Sequence, residues 1–92
     1  NIYNFPNPFS DFTQFTFELS KPSDVQIDIY SLGGKKIFSI EKVGAARGFN
    51  IINWNGQNSF GDILANGVYI YHIKATTQNE KTSSLGRIAK FR

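Results

Sequence analysis

One histidine, seven carboxylates and no cysteine are what this chain of 92 residues offers for catalysis or metal binding. A serine or threonine nucleophile needs a base beside it. His72 alternates with Val68, Ile70 and Lys74 along a strand-like run, and no G-x-S-x-G elbow presents a serine, so it reads as a structural or surface histidine. Asp24 and Asp28 share one face of an extended segment. Four residues at about 3.3 Å each separate them by ~13 Å, too far to chelate one ion or to act as a glycosidase pair. The loop from Asn55 to Asp62 is rich in side-chain oxygens but holds a single carboxylate, and turn formation accounts for its Asn, Gln and Ser as well as calcium binding does. Without cysteine there is no disulfide framework, thiolate zinc site or thiol nucleophile, although this leaves the compartment open. No enzyme activity, metal or cofactor is expected.

Two other features invite a binding role. Trp54, Tyr69 and Tyr71 could form a sugar-stacking platform, but alternation along the chain turns Trp54 toward a core that needs it. The second feature is charge. Residues 1–80 carry six basic and seven acidic side chains, whereas Lys81, Arg87, Lys90 and Arg92 stand in the last twelve residues with no acid. Basic residues on an exposed strand protect its edge from aggregation, and this is the structural reading of the cluster. Nucleic-acid binding would call for basic and aromatic residues interleaved over a wider surface.

The elements that must position these groups are strands. Phe15, Phe17 and Leu19 alternate with Gln14, Thr16 and Glu18, and Val25, Ile27 and Ile29 with Gln26, Asp28 and Tyr30, the pattern of half-buried strands. A proline turn at Lys21 to Asp24 joins them. Gly33-Gly34 reads as a two-residue hairpin connection, leading to a third strand from Lys35 to about Glu41 in which Ile37, Phe38 and Ile40 break alternation as at a bulge. Val43 to Gly48 has too few residues between glycines for a helix and is expected as a crossing loop. A strand from Phe49 to Trp54, with Ile52 and Trp54 inward, and one from Gly67 to Thr76 are expected to form a hairpin with a long connection, Ile63 and Leu64 tucking under as a cap. A strand from Lys81 to Phe91 follows the turn at Thr77 to Glu80. At the start, Pro6 and Pro8 lack amide donors, which places Ile2 to Phe9 at an edge or bend, with Phe5 and Phe9 plugging one end of the core. About seven short strands at regular spacing predict a single all-β domain over residues 1–92, a two-sheet sandwich without significant helix. Fourteen aromatics supply its core. No apolar run approaches the ~20 residues of a membrane helix. The absence of methionine at residue 1 leads us to expect a piece of a longer protein.

Taken in order, Phe5-Pro6-Asn7-Pro8-Phe9, Phe15 to Leu19, Val25 to Tyr30 with Ser31-Leu32-Gly33, Trp54-Asn55-Gly56 with Gly61, Gly67-Val68-Tyr69-Ile70-Tyr71 and Arg87 to Arg92 resemble the type A C-terminal sorting domain of the type IX secretion system. The resemblance covers nearly the whole chain. Its implications are an immunoglobulin-like sandwich and a non-catalytic address, carried by a cargo protein exported by Bacteroidetes-type bacteria through the periplasm and across the outer membrane to the cell surface or medium. The implied partners are the type IX translocon and shuttle proteins, and in many cargoes a sortase-like peptidase that removes the domain. Family recognition near the C-terminal end maps onto Lys81, Arg87, Ile88, Lys90, Phe91 and Arg92. The structural motif maps onto Pro6, Asn7, Pro8, Gly33, Trp54, Gly56, Gly67, Tyr69 and Tyr71. Phe5 stands where tyrosine is more usual, and Asn55 where aspartate is common. A similar sandwich occurs in flagellar hook-capping proteins. The rival functions are therefore an adhesive or carbohydrate-binding module and a structural, hook-capping-like domain.

Overall fold

The computed structural model describes residues 2–92. Its strands are β1 (Ile2–Phe5), β2 (Thr13–Leu19), β3 (Ser23–Ser31), β4 (Lys36–Ala45), β5 (Gly48–Trp54), β6 (Gly67–Thr76) and β7 (Lys81–Lys90). No helix occurs among the described residues. The strands form two antiparallel sheets, one ordered β1-β2-β5 and the other β4-β3-β6-β7. This is the expected immunoglobulin-like sandwich.

Period-2 alternation decides which side chains lie between the sheets. Phe15, Phe17 and Leu19 from β2, Ile52 and Trp54 from β5, Val25, Ile27 and Ile29 from β3, and Tyr71 and Ile73 from β6 make one continuous core. Phe15 meets Tyr71 edge-on at 5.0 Å, joining the sheets at the centre. Trp54 stacks on Phe38 at 6.1 Å, closing the side where β5 faces β4. Its indole N–H is satisfied by donating to the Gln57 carbonyl at 3.1 Å.

Several expectations are corrected. β5 and β6 are not a hairpin. β5 pairs with β2, and β6 pairs with β3 and β7, so residues 55–66 carry the chain from one sheet to the other. Alternation identifies a strand but says nothing of its partner. The crossing loop shrinks to Ala46 and Arg47, because β4 runs on to Ala45, which pairs with Ser23 beyond a register shift. There the Gly44 N–H donates to the Asp24 carboxylate at 2.8 Å. The β3–β4 connection has three residues, not two, since the Ser31 N–H donates to the Lys35 carbonyl, and only Gly34 takes positive φ. That is the three-residue loop closing on a left-handed glycine. In the cap, Leu64 packs on the core while Ile63 is exposed. The bulge is present: Ile29 pairs with Phe38 and Tyr30 with Lys36, leaving Ile37 as the extra residue.

Candidate functional site

β7 lies at the edge of the larger sheet, paired with β6 over ten residues without a register break. Alternation divides its side chains. Lys81, Ser83, Leu85 and Arg87 point to the exposed face, while Thr82, Ser84, Gly86, Ile88 and Lys90 turn toward the opposite sheet. Of the side chains expected to meet a partner, Lys81, Arg87, Phe91 and Arg92 are exposed. Ile88 and Lys90 are buried, at 1 % and 3 % exposure. Lys90 is thus corrected from a surface cation to an inward residue. It shares the face of Ile88, two residues away, and its ammonium lies 6.0 Å from the centroid of the Phe9 ring, a weak cation–π contact.

The segment after β1 crosses to β7 and covers half of its free edge. Phe9 lies parallel to Lys90, donating its N–H to the Ala89 carbonyl at 2.9 Å and accepting from the Phe91 N–H at 2.8 Å. Asn7 extends this pairing with its side chain, which donates to the Arg87 carbonyl and accepts from the Ala89 N–H, both at 3.0 Å. Pro8 has no amide to offer, so an asparagine amide does the work of a peptide group. The peptide bonds before Pro6 and Pro8 are both cis. The Pro6 carbonyl accepts from the buried Thr13 hydroxyl at 2.8 Å. Phe9 anchors this strap at 2 % exposure, 5.5 Å from the Trp54 ring. Gly56 makes the anchorage possible: it has φ of 73°, and a Cβ there would sit 2.7 Å from the Phe9 ring. The expected plug therefore consists of Phe9 alone, because Phe5 is 75 % exposed.

The remaining motif residues serve packing and turns. Trp54 and Tyr71 are buried, and Tyr69 donates its hydroxyl to the Ala65 carbonyl at 2.6 Å, so the three do not form an exposed stacking platform. Burial raises the phenol pKa of both Tyr69 and Tyr71. Gly67 opens β6 opposite Lys90, and Gly33 lies in the β3–β4 loop.

The charged centre on the outer face of the larger sheet was not singled out by sequence. Asp28, 1 % exposed, accepts from Gln26 at 2.9 Å and Ser39 at 2.7 Å, and faces Lys36 at 3.6 Å and Lys74 at 3.7 Å. Burial pushes its pKa up, but those two hydrogen bonds and the two ammonium groups together outweigh burial and hold it below the ordinary value. Ser39, Lys36 and Lys74 reach it from the two neighbouring strands and Gln26 from its own, and this fits a device that fixes strand register. His72 is half-buried opposite Asp28. Among the described residues no three His, Cys, Asp or Glu side chains cluster as metal ligands.

The fold has counterparts in known proteins. Latent dimeric PorU from Porphyromonas gingivalis superposes over 97 % of the chain with a TM-score of 0.79 and 21 % identity. PorZ, a surface component of the type IX secretion system of the same organism, superposes over 100 % with a TM-score of 0.67 and 23 % identity. FLGD from P. aeruginosa superposes over 86 % with a TM-score of 0.72 and 20 % identity. The chain spans only 9 %, 12 % and 62 % of these three proteins respectively, and at such identities the likeness is one of fold. No curated protein matches the chain. The pattern of the family described as "Secretion system C-terminal sorting domain" matches residues 3–85. With nearly its whole length matched, the chain belongs to this family, the sorting signals of type IX secretion.

Proposed function

We propose that this domain is a non-catalytic address that takes a cargo protein across the outer membrane to the cell surface or medium, read by the type IX machinery through β7 and the residues after it. The observation that carries the reading is the family match over residues 3–85. A sorting domain of this family has the secretion machinery as its partner. Within that reading the translocon and shuttle proteins meet the domain during periplasmic transit, and a sortase-like peptidase separates it from a cargo domain lying upstream. Lys81, Arg87, Phe91 and Arg92 are exposed and available for recognition. Ile88 and Lys90 contribute by holding the strand in place.

Recognition is tested with a reporter fused ahead of the domain and expressed in a bacterium with a type IX system. Replacing Arg87 and Arg92 together by alanine is expected to lower surface delivery at least tenfold while circular dichroism stays unchanged. Undiminished delivery with the fold intact would remove the Arg87 and Arg92 side chains from the recognition surface.

A further inference from the structure

The strap covers only half of the β7 edge. In an antiparallel ladder the backbone groups point alternately toward and away from the neighbouring strand. At Arg87, Ala89 and Phe91 the outward groups are those bonded by Asn7 and Phe9. The same alternation turns the N–H and C=O of Lys81, Ser83 and Leu85 outward, where no strand lies among the described residues. Natural sheets blunt such edges with bulges, prolines, short strands or charged side chains, and on β7 only the last device is present, as Lys81 and Arg87. β4, at the other edge of the sheet, carries two register shifts, whereas β7 has none.

A cleft of about 310 Å³ opens beside the uncovered half, between the two sheets. Ile2, Phe17 and Leu19 line it from one sheet and Ile73 and Ala75 from the other, with Glu18 the one carboxylate at its wall. The inward residues of β7 at this level, Thr82 and Ser84, are small and leave it unfilled. A free edge and an apolar slot for alternate side chains are the two requirements of recognition by strand addition. Charge identifies the occupant. Lys81 and Arg87 lie on the exposed face at the two ends of the open stretch, about 20 Å apart at ~3.3 Å per residue. The ion pairs among the described residues join Lys21 to Glu80 and Lys36 and Lys74 to Asp28, and involve neither. No carboxylate occurs in residues 81–92.

We infer that residues 81–87 of β7 dock an extended segment of the secretion machinery as an added strand, with apolar side chains entering the cleft and acidic residues at its two ends opposite Lys81 and Arg87. This rests on the sorting-signal reading and moves the backbone contact away from the strap-covered residues 87–91.

The probe is the heptapeptide Glu-Val-Thr-Leu-Thr-Val-Glu, whose palindromic order serves either strand direction, titrated into the 15N-labelled domain. The expected result is slowed exchange of the Ser83 and Leu85 amides, with binding weakened at least tenfold by S83P, which removes one edge donor, and by S84F, which fills the cleft from within. A peptide with lysine at both ends is expected to bind at least tenfold more weakly. Should S83P misfold, S84F alone decides the matter. Binding indifferent to S84F, or shifts centred away from residues 81–87, would overturn the inference, as would Ser83 and Leu85 amides already protected by upstream residues in a longer chain. The reporter separates the two claims. If the unaltered domain directs no export, the sorting reading fails; if it does and folded S84F is exported equally well, the docking site fails.

Discussion

The ring of Tyr71 occupies the space that a side chain on Gly86 would need. The two residues are paired across the β6–β7 ladder, and a Cβ on Gly86 would collide with the tyrosine ring and hydroxyl. Tyr71 can therefore reach between the sheets to meet Phe15 only because its cross-strand neighbour is bare. Gly86→Ala is expected to destabilise the domain by about 1–3 kcal/mol, the usual range for overpacking, measured by urea unfolding. The pairing of Tyr71→Leu with Gly86→Ala should be less destabilising than the sum of the single changes, a coupling that a double-mutant cycle reads directly.

Asn7 is the second position where one side chain carries a structural element. Asn7→Ala removes both of its hydrogen bonds to β7 while leaving Phe9 seated. Two lost bonds at an exposed edge correspond to about 1–2 kcal/mol. Hydrogen exchange should locate the change: the Ala89 amide, which donates to Asn7, should exchange faster, with amides bonded between β6 and β7 little altered.

Asp28 sets the acid side of the stability curve. Its native pKa lies below the ordinary 3.8, so the native state holds its proton less tightly than the unfolded chain. The associated stability is present above the ordinary value and is lost as pH falls below it and through the lower native pKa. Denaturant midpoints measured between pH 6 and pH 2.5 should drop for the natural sequence. The part due to this residue should be missing in Asp28→Asn, which should already be weaker at pH 6.

Burial of Tyr71 and Tyr69 sets the alkaline side. Their native phenol pKa values lie above 10.0, so the native state keeps protons that the unfolded chain gives up. Stability should be intact below pH 10 and decline above it, and absorbance at 295 nm should show tyrosine ionisation rising together with unfolding. In Tyr71→Phe the decline should be shallower.

The strands were legible because burial on one face imposes period two: every predicted run became a strand, and β2, β3 and β5 bury the faces their alternation marked. Partners were not legible. β5 and β6 follow one another in sequence yet enter opposite sheets, since pairing depends on core closure and not on adjacency. Lys90 could have been placed: it lies two residues beyond Ile88, so a buried isoleucine predicts an inward lysine at the same strand face. The charge count that drew attention to β7 does not distinguish the faces. The role of Asn7 was beyond reach, because it depends on carbonyl and amide groups of Arg87 and Ala89, whose residue types are irrelevant to the contact. The Asp28 centre likewise draws its ligands from β3, β4 and β6, and no local pattern brings Gln26, Ser39 and Lys74 together.

The bond from Asn7 to Arg87 spans 80 residues and that from Asn7 to Ala89 spans 82. During synthesis, the early strap has nothing to grip until residues 87–91 have emerged. Contacts so distant in sequence form late, because the intervening chain must first be ordered. The seam between Asn7–Phe9 and Arg87–Phe91 thus forms only when both ends of the domain are present: a chain cut short before β7 leaves one side of the sandwich unlatched.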